Sequence, residues 1–426
     1  MLDIKLIREH PEVVKNDLKK RRDEEKIKWV DDLLNYDKKW RELIQETNKL
    51  RERRNIVTQE IADLKKKGKD VKVKLKEVKE IPDKIKKLEM QAEDYKNKAN
   101  SILMKLPNIL HESVPYGKDE NDNVVVRTWG KPPKFDFKPK NHLDIAIDLE
   151  LIDTERAAKI AGRGFFYFKG ELALLDYAIQ VYTVHFLMKK GYTLIEPPFM
   201  MHRKPYLGVT DLEFFGDQLY KIENEDLYLI ATSEHPMAAM FMDEILEKKD
   251  LPIKFVGISP CFRKEVGAHG KYTKGLFRMH QFNKVEQFIF CLPEHSWKLH
   301  EELQKNSEEL YQSLGLHYRV VNVCTGDIGI IAAKKYDILA WMADGEFRES
   351  GSNSNCTDYQ ARRLNIRFRE KEGQAPVGFV HTLNNTALAT SRTMMAILEQ
   401  FQQKDGSVII PKVLRPFMNG VEKLVK

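Results

Sequence analysis

Apolar residues in the first quarter of the chain recur at alternating spacings of four and three. Tyr36, Trp40, Leu43, Thr47, Leu50, Arg54, Val57, Ile61 and Leu64 form one such seam, the heptad signature of a helix packing along its length against another. Gly68 interrupts it. A second seam follows: Val78, Ile81, Ile85, Leu88, Ala92, Tyr95, Ala99, Ile102 and Leu106. Pro82 fits best near the start of this second helix, or as a kink if the helix begins earlier. Two heptad helices joined by a short turn predict an antiparallel coiled-coil hairpin, an arm of roughly 60 Å at 1.5 Å rise per residue. A dimerising coiled coil is the competing reading; Thr47, Arg54 and Tyr95 in the seams suit pairing within one chain better. Residues 1–22 read as a short capped helix with Pro11 near a helix start.

Residues 107–142 differ in texture. Pro107, Pro115, Gly117, Gly130, Pro132, Pro133 and Pro139 punctuate them, and they read as a linker. Beyond it, helix patterns lie near 171–190, 234–248, 293–314 and 387–402. Strand patterns lie near 192–196, 226–231, 253–262, 279–290, 317–323 and 377–383. Strands commonly follow strands here, which predicts an antiparallel sheet with helices on it rather than a doubly wound parallel sheet. The expected organisation is α+β: a coiled-coil arm over 1–110, a linker over 111–142 and a catalytic domain over 143–426.

Charge sharpens this division. Residues 1–110 hold 30 Lys+Arg against 22 Asp+Glu, a net of +8, which leaves −1 for the rest of a chain whose total is +7. Residues 65–87 hold eleven lysines against four acids. A basic appendage on a near-neutral body fits a polyanion partner; a solvated helical face rich in lysine fits the charge equally well. No run approaches the roughly 18 apolar residues of a membrane span. MLDIKLIREH carries four charges and no apolar block, unlike a secretory leader. Cys261, Cys291, Cys324 and Cys356 form no C-x-x-C pair, so neither a zinc site nor a disulfide framework is indicated. A reducing, cytoplasmic setting is expected.

The chain has no Walker loop, dinucleotide fingerprint or nucleophile elbow. A nucleotide enzyme without a Gly-rich cradle must hold phosphate with side chains, and arginine's planar fork suits that. Residues 257–287 offer two strand-like runs around a loop with Gly267, Gly270, Lys271, Lys274 and Gly275. Arg263 and Glu265 end the first strand, on one face by period two. Phe282 and Glu286 share a face of the second, where a ring could stack on a base. Arg-x-Glu alone reads equally as a salt-bridged hairpin.

The string Cys261-Phe-Arg-Lys-Glu, a loop, then Lys274-Gly-Leu-Phe-Arg-Met-His-Gln-Phe-Asn-Lys-Val-Glu-Gln resembles motif 2 of the class II aminoacyl-tRNA synthetases, in the form of the seryl-tRNA synthetase family. Gly191-Tyr-Thr-Leu-Ile-Glu-Pro-Pro is similar to the end of motif 1, with Pro198 at the family's proline. Thr232-Ser-Glu-His-Pro resembles the serine-binding turn. Phe347 through Arg363 resembles the segment ahead of motif 3, and His381 through Arg392 resembles motif 3 itself. The resemblance spans the chain, arm included.

It implies ATP-dependent attachment of L-serine to tRNA(Ser) through seryl-adenylate, and to selenocysteine tRNA where one exists. Arg263 is implied at the α-phosphate, with Lys264 beside it, Glu265 at the adenine amino group and Phe282 stacked on adenine. Met279, His280 and Gln281 are implied to line the nucleotide pocket, and Arg392 to bind the γ-phosphate. Glu349, Ser350, Gly351 and Ser352 are implied at ATP, Glu349 and Ser352 also holding Mg2+. Thr232, Ser233, Glu234, Arg263, Glu286 and Thr386 are implied around serine. No zinc is expected, because the pocket strings offer no Cys or His ligand set. The family further implies a homodimer, with tRNA(Ser) held by the basic arm and the motif 2 loop and with no membrane partner.

Outside the resemblance, Glu286 alone reads as an ion-pair partner, His280 as a core histidine and Thr386 as a helix N-cap. Three departures stand out: Tyr272 where the family commonly has Asp, Ala343-Asp-Gly-Glu-Phe where it often has Pro-Gly-x-Gly-Lys/Arg, and Glu349-Ser-Gly-Ser in place of Glu-Val-x-Ser. The competing functions are a non-catalytic tRNA-binding paralogue, an enzyme charging a carrier protein, and a synthetase for another amino acid.

Overall fold

The computed structural model describes residues 1–212, 216–265 and 275–426. They divide into two compact units, Met1–Ile109 and Leu110–Lys426.

In the first unit, helices α1 (Ile4–Glu9) and α2 (Pro11–Lys20) precede two long helices, α3 (Glu24–Lys66) and α4 (Lys72–Lys105). Asp3 caps α1 and Pro11 opens α2 at its first position, where the missing N–H costs nothing. Asp23 caps α3 by accepting from the Lys26 N–H at 3.2 Å. The chain leaves α3 through Gly68 at φ +65°, a left-handed turn that glycine tolerates. Helix α4 folds back antiparallel: Tyr36 meets Tyr95 with ring centroids 6.1 Å apart, and Arg53 pairs with Glu77 at 2.7 Å. Thr47, Val57, Ile61, Ile81, Ile85 and Ala92 are buried along the seam. One detail of the seam differs from the sequence reading: Arg54 is exposed, its charge turned to water although its register is that of the seam. Helix α4 begins at Lys72, so Pro82 lies inside it, the second of the two placements its sequence allowed.

The second unit is built on an eight-stranded sheet. Its strands are β1 (Val124–Trp129), β2 (Thr193–Ile195), β3 (Ile253–Phe262), β4 (Gln281–Cys291), β5 (Tyr318–Asn322), β6 (Lys334–Trp341), β7 (Phe347–Asn355) and β8 (His381–Ala389), in the spatial order β1-β5-β6-β7-β8-β4-β3-β2. Every neighbouring pair is antiparallel except β2 with β3. Besides a short helix over Thr154–Ala161, its helices include α5 (His142–Asp148), α6 (Gly170–Met188), α7 (Arg203–Val209), α8 (Glu234–Ala239), α9 (Ser296–Leu314), α10 (Tyr359–Leu364) and α11 (Thr390–Gln400).

Strand parity separates two cores. Val285 and Ile289 of β4 join Leu172, Leu175 and Ile179 of α6, Leu303 and Leu310 of α9 and Ile397 of α11. Phe288 and Phe290, on the opposite face, join Tyr206 and Val209 of α7, Met237 of α8 and Leu364 of α10. Nearer the start of β4, the face that carries Phe288 bears Phe282, Lys284 and Glu286 instead.

Two sequence expectations are corrected here. The linker reading fails over 124–129, which form the edge strand of the main sheet; an edge strand lying among prolines and glycines gives no core pattern. The helix expected over 234–248 stops at Ala239. Asp243 takes a left-handed φ of +64°, and Ile245–Glu247 form a strand parallel to Arg367–Arg369.

Candidate active site

Three charged residues, Glu234 on α8 and Lys284 and Glu286 on β4, define one end of the site. Thr232 and Ser233 are buried ahead of α8, and the Glu234 N–H donates to Thr232 Oγ1 at 3.2 Å. Gln360 Nε2 approaches Glu234 Oε1 at 3.5 Å, while Gln360 Oε1 accepts from Thr382 at 2.7 Å. Glu286 is 1% exposed and pairs with Lys284 Nζ at 2.6 Å. Thr386 lies directly opposite Glu286 in the β8–β4 ladder. Burial, then the charge of Glu286, pushes Glu234 up to about 7, against Lys284 and Arg263. Burial also raises Glu286, opposed by Lys284, by Thr386 and by Arg263. Two carboxylates in one dry pocket thus make a poor home for two negative charges and a good one for a cation.

Arg263 sits just past the end of β3. Its N–H donates to the His280 carbonyl at 2.9 Å, and its Nε to the Ala231 carbonyl at 3.3 Å. The guanidinium lies 5.2 Å from the Phe282 ring centroid, within the range of a cation–π contact. The shared face expected of Arg263 and Glu265 from strand periodicity does not apply. The strand ends at Phe262, and Glu265 adopts a φ of +52°, which resets side-chain direction. The Glu265 carboxylate meets Arg278 Nε at 2.5 Å. The Lys264 ammonium stands 5.9 Å from the Tyr220 ring centroid.

Met279, His280 and Gln281 go three different ways. The Met279 side chain is buried in the helix-side core, so any part it takes in a nucleotide pocket falls to its backbone. His280 stacks on Phe165 with centroids 5.0 Å apart and shares a 2.6 Å hydrogen bond with Tyr220. Gln281 is exposed. Gly267, Gly270, Lys271, Tyr272 and Lys274 lie outside the described residues.

The other end of the site comes from β6, β7 and α11. Glu349 and Ser352 are three apart, which in a regular strand places them on opposite faces. The β6–β7 register slips at Ser350, Ile338 pairing with Gly351 and Leu339 with Glu349. That bulge returns Glu349 and Ser352 to one face. A second register shift lies between Thr386 and Leu388 of β8, just before α11. Gly351 permits the close approach of β7 and β8, because a Cβ there would stand 3.1 Å from the Thr386 carbonyl oxygen. Ser350 is buried and donates to the Arg348 carbonyl at 3.3 Å. Arg392 Nη1 donates to the Glu349 carbonyl at 2.7 Å and to its carboxylate at 3.2 Å. Its guanidinium lies 4.7 Å from the Phe277 ring centroid.

Three charged residues that sequence reasoning did not single out complete the site: Lys284, Lys335 and Asp337. Asp337 faces Ser352 across the ladder and pairs with Lys335 Nζ at 3.2 Å. Burial raises Asp337 to about 6, with Glu349 adding to the rise and Lys335 opposing it. Burial alone would lift Glu349 too, but Arg392, Lys335 and Arg263 outweigh it and hold that carboxyl below its ordinary value. Nearly half of the Glu349 side chain, 47%, still meets water, so it lines an open cleft surrounded by protein. The available signal was charge at alternate positions of apolar strands, in Lys284-Val-Glu and Lys335-Tyr-Asp.

The donor set suits a hard divalent cation. Glu349 and Ser352 offer oxygen, and Asp337 beside them has a buried Oδ1 without a hydrogen-bond partner. Among the described residues no cluster of three or more His, Cys, Asp or Glu could hold a metal, so such an ion would take its remaining ligands from phosphate and water. Among those residues, too, no helix is long and apolar enough to cross a membrane.

Residues 219–401 match the model of the tRNA synthetase class II core domain (G, H, P, S and T), and residues 1–110 match that of the seryl-tRNA synthetase N-terminal domain. The chain is 56% identical to the serine–tRNA ligase of Methanospirillum hungatei over 425 residues, which cover 100% of both chains. Among solved structures, the seryl-tRNA synthetase from Pyrococcus horikoshii complexed with ATP matches with a TM-score of 0.95 at 51% identity, over 100% of this chain and 99% of that one. The cytoplasmic serine–tRNA ligase from Naegleria fowleri in complex with AMP matches with a TM-score of 0.90 at 36% identity, with the same coverage. The basic heptad arm, the antiparallel sheet and the charged cleft are therefore those of an aminoacylating enzyme, and the chain belongs to the seryl-tRNA synthetase family.

Proposed function

We propose that this protein activates L-serine with ATP and transfers the seryl group to tRNA(Ser). The observation that carries the reading is a single cleft with a buried carboxylate pair at one end and Arg392 with Glu349 at the other, Arg263 bearing electrostatically on both ends. Serine needs a cation-seeking and hydroxyl-binding pocket. The triphosphate needs fixed positive charge.

In the first step a serine carboxylate oxygen attacks the α-phosphorus and pyrophosphate leaves. In the second, a ribose hydroxyl at the tRNA 3′ end attacks the seryl carbonyl and AMP leaves. Neither step requires a protein nucleophile; positioning and charge neutralisation suffice. Arg263 offsets charge on the α-phosphoryl group. Phe282 stacks on adenine while Glu265 accepts from its amino group, and Arg392 holds the γ-phosphate end. Glu234 pairs with the serine ammonium; Glu286, with Thr386, accepts and returns hydrogen bonds to the serine hydroxyl, and Thr232 and Ser233 shape the turn around it. A pocket built on such bonds rejects alanine, which would leave them unmade. Mg2+ held by Glu349 and Ser352 would screen charge on the phosphates.

The arm over residues 1–110 serves tRNA(Ser) through its eleven-lysine tip, by backbone charge and shape, with the motif 2 loop at the acceptor end. The catalytic domain spans 143–426. A homodimer is supported by exposed Tyr177, Val181 and Met188 on α6 and Leu194 on the edge strand β2, an apolar patch of the kind that marks an interface. The cytoplasm is the expected site of action. The deciding experiment is ATP–pyrophosphate exchange with each of the twenty amino acids. Exchange with serine alone, lost in Arg263→Ala, is expected; no exchange with any amino acid from folded protein overturns the reading.

A further inference from the structure

Lys284 has no part in the scheme above, yet it is among the most enclosed charges of the cleft. Its side chain is 7% exposed, its Nζ lies 2.6 Å from Glu286 Oε2, and Glu286 itself is 1% exposed. Spacing of two along β4 puts Phe282, Lys284 and Glu286 on one face, from the adenine end to the serine end. In the ladder Lys284 stands between Ser259 of β3 and Ala389 of β8, neither of which can neutralise it. A buried ammonium on a strand in the middle of a sheet is expensive, and fold stability alone gives no reason to keep it: an apolar residue would pack there more cheaply.

The carboxylates explain it. Glu234 and Glu286 both have to be ionised to receive one ammonium and one hydroxyl, and both resist ionisation because they are buried and repel each other. Two such groups left to themselves share a proton. Among the described residues, the charged and titratable groups facing them are Lys284 on β4, Arg263 and Cys261 at the end of β3, His235 on α8, Tyr206 on α7 and Cys356 just after β7, the last two raised by burial and uncharged. His235 is driven down to about 3 by burial, then by Lys284 and Arg263, and is neutral. Burial raises the Cys261 thiol, which is also uncharged. Arg263 is committed to the phosphate. Among the described residues Lys284 is then the cation left to the pair.

We propose that Lys284 is a positioning residue for amino-acid selection: its ammonium holds Glu286 ionised and aligned, leaving the trio of Glu234, Glu286 and Lys284 one negative charge that the ammonium of serine neutralises. This rests on the serine-activating reading, and it predicts that Lys284 acts on serine rather than on ATP.

The test is Lys284→Met, which keeps the length of the side chain and removes the charge. In ATP–pyrophosphate exchange its KM for serine rises by about tenfold or more, while its KM for ATP stays within about twofold of wild type. The acidic limb of kcat/KM for serine moves to higher pH by about one unit or more, because the unpaired carboxylates hold a proton longer. An unchanged KM for serine and an unshifted limb overturn the proposal. So does a parallel rise of both KM values, or a loss confined to kcat, either of which places the charge at the reacting phosphate. Should Lys284→Met fail to fold, Lys284→Met/Glu286→Gln removes both charges: it is expected to fold and to melt above the single variant, and a double variant as unstable as the single one refutes the pairing. Wild type assayed alongside keeps the two levels apart. Absence of serine-dependent exchange in wild type sinks the serine reading, whereas wild-type exchange with an unaffected Lys284→Met sinks only the role of Lys284.

Discussion

Asp176 is the sharpest point at which packing and catalysis can be tested together. It lies on α6, is 4% exposed, and its Oδ2 accepts from Asn283 Nδ2 at 2.7 Å and from Gln180 Nε2 at 2.9 Å. Asn283 falls between Phe282 and Lys284, and its carbonyl accepts from Thr390 Oγ1 at 3.1 Å, two residues before Arg392. One carboxylate thus ties α6 to both the adenine-stacking strand and the helix that carries Arg392. Asp176→Ala takes the acceptor from the part-buried Asn283 amide and leaves the buried Gln180 amide only its 3.2 Å bond to the backbone carbonyl of residue 176, at ~1–3 kcal/mol in all. At roughly 2 °C per kcal/mol in a unit of this size, the melting temperature falls by about 2–6 °C. Asp176→Asn keeps an acceptor oxygen and costs about 1 kcal/mol or less near pH 5. Burial raises the Asp176 pKa, so wild type loses stability as pH climbs from the ordinary carboxyl range through that raised value. Asparagine does not titrate, and Asp176→Asn therefore gains on wild type towards neutral pH. Thermal melts at pH 5 and pH 7.5, with exchange kinetics on the same samples, read both effects. An Asp176→Ala variant melting within about 1 °C of wild type refutes the accounting, and an asparagine variant as damaged as the alanine one shows that the charge, not the acceptor, is needed.

Glu234 makes serine activation pH-dependent: because its anion meets the ammonium and its pKa lies at about 7, kcat/KM for serine climbs through neutrality and flattens above it, and a profile flat from pH 5.5 to 8 in wild type contradicts the assignment. Gly257→Ala puts a Cβ 2.5 Å from Met237 Cε and 3.0 Å from Ser233 Oγ; this overpacking costs ~1–3 kcal/mol and, by displacing the Thr232–Glu234 turn, raises the KM for serine more than that for ATP in exchange assays. Arg392→Met removes the donor to Glu349 and the charge over Phe277, so the KM for ATP rises by about tenfold or more with the KM for serine little altered. Tyr177→Asp/Val181→Asp places charge on the apolar face of α6 and turns a dimer into monomers in sedimentation at micromolar concentration; a monomeric wild type removes the basis for that expectation.

What the sequence makes legible follows the range of the forces involved. The arm is local: its seams, its glycine turn and its antiparallel return are written in periods of three and four, and the seam residues Thr47, Val57, Ile81 and Ile85 are buried as the spacing requires. Strands β3 and β4 and helices α6 and α9 are also legible, because each buries a long apolar face. Strand β1 is not, since Val124, Val125 and Val126 are exposed on an edge that owes its existence to pairing with β5, nearly two hundred residues later. The break in the 234–248 helix has the same origin: Ile245–Glu247 are drawn out as a strand by Arg367–Arg369.

The site obeys a different rule. Motif order locates Arg263, Glu286, Glu349 and Arg392, but parity along a strand is a poor guide wherever a bulge intervenes. Counting by two separates Glu349 from Ser352 and joins Arg263 to Glu265; the bulge at Ser350 and the left-handed Glu265 reverse both. A bulge breaks the period of two that makes a strand readable, and here it turns Glu349 and Ser352 to one face. The same logic accounts for Lys284, Lys335 and Asp337. Each is a charge in a strand that packing would fill with an apolar side chain, and each is tolerated because an opposite charge lies across or along the ladder: Lys284 with Glu286, Lys335 with Asp337. A buried ion is thus explained by its partner, which here lies two residues along the same strand, so that the sequence displays each pair while the burial that gives it meaning comes from strands distant in the chain.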